Sequence, residues 1–77
     1  MIHRLQLGRI GYMIQRVQRF QIQATEAMGA LKAGLGEWEK AKQHYLNALQ
    51  IATEANEDFA QSKIMVDLLT LDRKSVV

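Results

Sequence analysis

Residues 34–52, GLGEWEKAKQHYLNALQIA, decide the fold of this 77-residue chain. A glycine-containing break is followed by apolar residues at helical spacing, and two of them, Ala41 and Ala48, are small. Small side chains on one face let a second helix approach closely, while the rings of Trp38 and Tyr45 fill the space beside them. The stretch therefore predicts the second helix of an antiparallel helical hairpin.

The sequence on either side predicts two further helices and hence an all-α fold. From Ile10 to Leu35 the apolar residues recur at helical spacing, and the glycines at 34 and 36 are typical of a helix end. After the second helix, Asn56 is a suitable C-terminal cap and Asp58 an N-cap for the third. We predict helices over about 10–35, 37–55 and 58–71, an N-terminal arm over 1–9 and a frayed tail over 72–77, all within one domain of residues 1–77.

The composition favours helices but gives the chain a thin core. Hydrophobic residues make up 48% and charged residues 23%, as in a globular protein, and there is no proline. There is no cysteine and there are only two histidines, His3 and His44, so we expect no disulfide and no metal site. A domain this short usually needs such a link or a second subunit to be stable, so we expect self-association.

The hairpin follows a 34-residue pattern that begins at Ile22. Its positions are filled by Met28, Gly29, Gly36, Glu37, Trp38, Ala41, Tyr45, Ala48, Leu49 and Ile51. Residues 22–55 thereby resemble a tetratricopeptide repeat, a unit of helix, turn and helix. Thr25, Lys32 and Thr53 depart from the family pattern, which commonly has an aromatic residue, a tyrosine and a proline there. Residues 48–58, ALQIATEANED, resemble the end of longer repeats, which makes residues 59–71 the first helix of a second repeat.

This resemblance implies a scaffold for protein–protein contact rather than a catalyst. Such repeats usually need about three units for stability, and this chain has one and a half. The broadly apolar third helix therefore lacks a covering helix, so we expect a homodimer or higher oligomer that also binds a protein partner. The expected self-association residues are Phe59, Ile64, Leu68 and Leu69.

The resemblance also implies a concave groove lined by the first helix. The groove positions are Gln23, Glu26, Ala30, Ala33 and Gly34. Family members that clamp a peptide carboxylate use Lys, Arg and Asn at such positions, and this chain has none of them there. The small residues indicate instead that another helix lies close to this face.

Arginine residues form a basic stripe on the first helix. Arg9, Arg16 and Arg19 share one helical face with Tyr12, and residues 1–20 contain no acidic residue. One interpretation is a solvated face or a set of ion pairs to another subunit. The alternative function is a small helical regulator that binds nucleic acid phosphates, and a third interpretation is an anionic lipid surface.

Other classes of protein are not favoured by the sequence. No apolar run reaches the roughly 18 residues of a membrane span, and polar residues interrupt the N-terminal stretch where a secretory signal would be apolar, so we expect a cytoplasmic protein. His44 has no visible partner, and GALKAGLG (residues 29–36) lacks the ending of a phosphate loop, so we expect no enzyme and no cofactor. A remaining hypothesis is that the chain is a fragment of a longer repeat array.

Overall fold

Three α-helices form the protein in a computed structural model that describes the backbone of residues 2–75 and the surroundings of residues 11 and 13–74. Helix α1 spans Ile2–Gly34, α2 spans Trp38–Glu54 and α3 spans Asp58–Ser75. The described residues contain no strand, and α1 packs against both α2 and α3. The all-α hairpin with a third helix is confirmed.

Two helices are longer than the sequence pattern predicts. Helix α1 already begins at Ile2, so residues 2–9 are helical rather than a separate arm. Glycine in a helix interior costs only about 1 kcal/mol, so Gly8 and Gly11 do not end a helix that lacks proline. Helix α3 continues through residues 72–75, where Arg73 and Lys74 suit the negative end of the helix dipole. Met1, Val76 and Val77 lie outside the described residues.

The turn between α1 and α2 is a Schellman motif. Gly36 adopts a positive φ of 77°, the left-handed conformation that a glycine tolerates best. The Gly36 N–H donates to the Ala33 carbonyl at 3.0 Å, and the Glu37 N–H donates to the Lys32 carbonyl at 2.9 Å. These two bonds satisfy carbonyls that the helix end would leave without partners.

The turn between α2 and α3 repeats this geometry with an asparagine. Asn56 has a φ of 56°, and its N–H donates to the Thr53 carbonyl at 3.2 Å. The Glu57 N–H donates to the Ala52 carbonyl at 2.9 Å. Asn56 thus takes the capping role that the sequence predicts, in the position directly after the C-cap residue Ala55. The N-cap prediction is wrong by one residue, because Asp58 is already the first residue of α3.

The core lies between α1 and α2 and extends to the inner side of α3. Its buried residues are Ile22, Ala41, Tyr45, Ala48, Ala52, Ile64 and Leu71. Gly29 lets the Tyr45 ring lie directly on α1, since a Cβ built at Gly29 would be 2.8 Å from Tyr45 Cε1. The two alanines flanking Tyr45 on α2 are fully buried, as close helix packing requires.

The long apolar pattern of α1 does not face this core. The face that packs inward carries Ile22, Gly29 and Ala33. The opposite face, which we call the outer α1 stripe, is exposed. Its residues are Met13, Ile14, Val17, Phe20, Met28, Leu31 and Leu35.

Candidate interaction surfaces

The main candidate site is a mostly apolar cleft between α2 and α3, which we call the α2–α3 groove. It encloses about 520 Å³. One wall comes from the N-terminal half of α2 and the other from the C-terminal half of α3. The lining residues are Trp38, Glu39, Lys42, Leu46, Met65, Leu68, Leu69, Leu71 and Asp72. Its walls are thus mostly apolar with a few charged residues, a composition typical of a surface that accepts an amphipathic helix.

The four residues expected to mediate self-association have different surroundings. Leu68 and Leu69 both line the α2–α3 groove, where Leu68 is partly buried and Leu69 is 65% exposed. Phe59 is 84% exposed but lies near the start of α3, away from this groove. Ile64 is 0% exposed, so it belongs to the core of the single chain. The expectation that Ile64 forms part of a free surface is therefore corrected.

A smaller cleft of about 260 Å³ lies between α1 and α3, on the side that the repeat resemblance assigns to the concave groove. Glu26 is largely buried there, and Lys63 Nζ lies 3.5 Å from Glu26 Oε2. Glu26 Oε1 is also buried and has no hydrogen-bond donor among the described residues. This cleft therefore presents a carboxylate oxygen beside an ion pair.

The five predicted concave positions are only partly brought together. Gln23 and Glu26 line the smaller cleft with α3, whereas Ala30 and Gly34 are exposed further along α1. Ala33 packs against the core beside α2. A neighbouring helix therefore lies near the first half of the predicted groove and leaves the second half open.

The basic stripe is partly occupied by an ion pair within the chain. Arg19 Nε lies 2.9 Å from Glu57 Oε1, which ties α1 to the turn before α3. Arg16 is exposed on α1, and the side chains of Arg9 and Tyr12 lie outside the described residues. Arg19 therefore has a structural role, whatever else the stripe contacts.

The outer α1 stripe and the α2 wall of the groove were missed by the sequence interpretation. The stripe is the apolar pattern that identified the helix, and nothing in that pattern tells which side will find a partner. One signal was present: the pattern begins at Ile10, well before the hairpin match begins at Ile22. The residues of the stripe that precede the hairpin cannot be covered by the second helix of that hairpin.

Two titratable groups near the hairpin are perturbed. The pKa of Glu37 is lowered, chiefly by the hydrogen bond from Lys32, whose Nζ lies 3.2 Å from the Glu37 carboxylate. Lys40 lowers the pKa of Glu37 further. Burial raises the pKa of the Tyr45 phenol, and the negative charges of Asp67 and Glu26 raise it further. The Glu37 shift follows from its ion pairs with two lysines, and the Tyr45 shift follows from its burial in the core.

Comparisons with protein-family models, with curated proteins and with solved structures found no match to this chain. Across residues 2–75, no helix combines the length and the apolar character that crossing a membrane requires. Among the side chains of residues 11 and 13–74, no three His, Cys, Asp or Glu are grouped in a way that would hold a metal ion.

Proposed function

We propose that this protein is a non-catalytic, cytoplasmic scaffold of tetratricopeptide-like helices that self-associates and presents a helical surface to a protein partner. The α2–α3 groove is the observation that carries this proposal. It exposes Leu46, Met65 and Leu69 along one continuous cleft. Covering apolar surface of this kind is the main favourable term in protein association.

The alternative function, binding of nucleic acid phosphates, has less support. Arg19 makes an ion pair with Glu57, which a phosphate would have to replace. The charge of the whole chain is only +2, whereas nucleic acid binding is driven by many cationic contacts. Salt separates the two functions, because phosphate binding weakens steeply with rising salt and an apolar interface does not.

The groove is tested by Leu69→Glu, with Val66→Glu as the matched control. Both residues are exposed apolar side chains of α3, at 65% and 60%, but only Leu69 lines the groove. A charge placed in a buried interface should weaken self-association at least about thirtyfold, the size of a hot-spot contact. Light scattering across a dilution series measures this weakening.

Both variants should retain wild-type helical circular dichroism, because neither side chain is buried in the single chain. If Leu69→Glu and Val66→Glu leave the same oligomer intact, the groove is not the self-association surface. If both variants dissociate equally, the interface lies elsewhere on α3.

A further inference from the structure

The N-terminal part of α1 projects beyond the rest of the molecule. Arg19 contacts the turn before α3, so the helix that precedes it extends past the ends of α2 and α3. Gly11 and residues 13–17 are all exposed, and Gln18 is partly covered. We call residues 2–17 the α1 arm; at 1.5 Å per residue it is about 24 Å long.

The arm and the helical turn that follows it carry an apolar face at the spacing of a docking helix. Met13, Val17 and Phe20 are separated by four and three residues, so they share one side of α1. Val17 is 56% and Phe20 71% exposed within the chain. These three residues belong to the N-terminal part of the outer α1 stripe, where residues 13–17 are exposed.

The chain exposes more surface than a compact protein of its mass. Its accessible surface is 6209 Å² for 8.8 kDa, whereas surface scaling gives about 4,800 Å² for a compact monomer. Its radius of gyration is 15.4 Å against about 11.5 Å for a compact domain of this length. The excess of about 1,400 Å² is larger than the roughly 800 Å² that each partner buries in a standard interface.

We propose that the α1 arm of a second copy fills the α2–α3 groove, and that two copies exchange arms reciprocally about a two-fold axis. This inference rests on the self-association proposed above. The groove lies at the end of the molecule near Trp38, and the arm projects from the opposite end. An antiparallel pair therefore places each arm beside the partner's groove, and the arrangement closes as a dimer.

Helix direction supports this pairing. In the antiparallel pair the incoming arm runs opposite to α3 and parallel to α2. The arm then packs beside α3 as a fourth helix, antiparallel to it, and continues the alternating directions of α1, α2 and α3. Its apolar face contacts the wall of the groove that carries Met65 and Leu69.

Charge also favours the arm over a second α3 as the occupant. The chain has no acidic residue before Glu26, so the arm is positively charged, whereas the charged lining residues of the groove are Glu39, Lys42 and Asp72. A basic helix meets a groove of net negative charge, and opposite charges orient an interface. Two grooves packed face to face would leave both arms uncovered.

Cysteine cross-linking tests the exchange directly, because the native chain has no cysteine. The single variants Val17→Cys and Leu69→Cys are mixed and treated with a short bis-maleimide. The mixed 17–69 product should dominate, with little product from either variant alone. A dominant Leu69–Leu69 product would overturn the arm exchange and show grooves packed face to face, while leaving self-association intact.

The double variant Val17→Cys/Leu69→Cys separates a closed dimer from an open chain. Reciprocal exchange predicts that cross-linking stops at a covalent dimer. A ladder of larger products would overturn the two-fold arrangement, because head-to-tail contacts do not close. A chain that stays monomeric by light scattering would sink the proposed function itself.

A charge introduced on the arm gives an independent readout. Val17→Glu should weaken the dimer at least about thirtyfold without changing the helical circular dichroism of the single chain, because Val17 contacts no core residue. The matched control is Gln15→Glu, an exposed arm position on the opposite side of α1. Equal dissociation constants for the two variants would contradict the inference.

Discussion

Helix α2 packs closely on α1 around Tyr45 and leaves an open apolar cleft toward α3. Toward α1, the Tyr45 ring faces Gly29, which has no side chain, and the two helices meet closely. Toward α3, large residues such as Trp38 and Leu69 line both walls, and a cleft of about 520 Å³ remains between them. Two helices close on each other when one supplies the space that the other fills, and apolar character alone does not close them.

The largest expected effect comes from breaking the closed side with Tyr45→Asp. Tyr45 is buried, so an aspartate leaves a cavity and an unpaired charge in the core. The loss should be at least about 4 kcal/mol, close to the whole stability of a small domain. Circular dichroism should show loss of the helical signal.

Tyr45→Phe is the control for this substitution. It keeps the ring and removes only the hydroxyl, so stability should change by less than about 1.5 kcal/mol. A soluble Tyr45→Asp variant with wild-type helical signal would show that the hairpin is wrongly placed.

A smaller effect is expected when a methyl group is forced into the closed side with Gly29→Ala. The new Cβ would lie 2.8 Å from Tyr45 Cε1, so the ring or the helix must shift, at a cost of about 1–3 kcal/mol. A Cβ at Gly11 would have no neighbour within 4 Å. Gly11→Ala should therefore raise the helical signal without lowering the melting temperature. If Gly29→Ala melts at or above the wild type, the close contact does not stabilise the hairpin.

Each of the two interhelical turns contains a residue with a positive φ, so substitutions there compare the cost of backbone strain. At Gly36 the positive φ of 77° disfavours a side chain, so Gly36→Ala should cost about 1–2 kcal/mol. At Asn56 the similar φ of 56° is already strained, so Asn56→Gly should be close to neutral, within about 0.5 kcal/mol. Urea titration of both variants measures the difference. Equal losses at the two positions would mean that the left-handed φ does not decide the effect of these substitutions.

The smallest expected effect concerns the ion pairs of Glu37 beside the first turn. Lys32 and Lys40 lower the folded-state pKa of Glu37, so the stabilisation is present above the ordinary glutamate pKa and is lost as pH falls through the folded value. Glu37→Gln should therefore be less stable than the wild type at neutral pH, and the difference should vanish in acid. Thermal melts at neutral and acidic pH compare Glu37→Gln with the wild type. An acid-independent difference would contradict the assignment.

The hairpin was predictable from sequence because its determinants are local. Two glycines mark the first turn, and the spacing of Ala41, Tyr45 and Ala48 defines the packing face of α2. These local features predict where the turn lies and which face of α2 packs against its neighbouring helix. The start of α1 was not predictable, because Gly8 and Gly11 weaken a helix without ending it.

The candidate site was only partly predictable. A helix that is apolar around most of its circumference does not tell which residues the chain covers itself, so Ile64 and Leu69 looked alike in the sequence although one is buried and the other exposed. Which residues of α2 line the groove depends on the angle between α2 and α3, and the sequence pattern does not give this angle. The outer α1 stripe was visible as a pattern, but its position opposite to the core depends on Tyr45 docking on Gly29.

The measurement that tests the central claim most directly is the mass of the wild-type chain in solution, by light scattering across a dilution series at low and high salt. We predict a dimer at both salts, because the apolar walls of the α2–α3 groove need cover and apolar contacts are not screened by salt. A folded monomer throughout the series would contradict self-association and leave the groove open for a different protein.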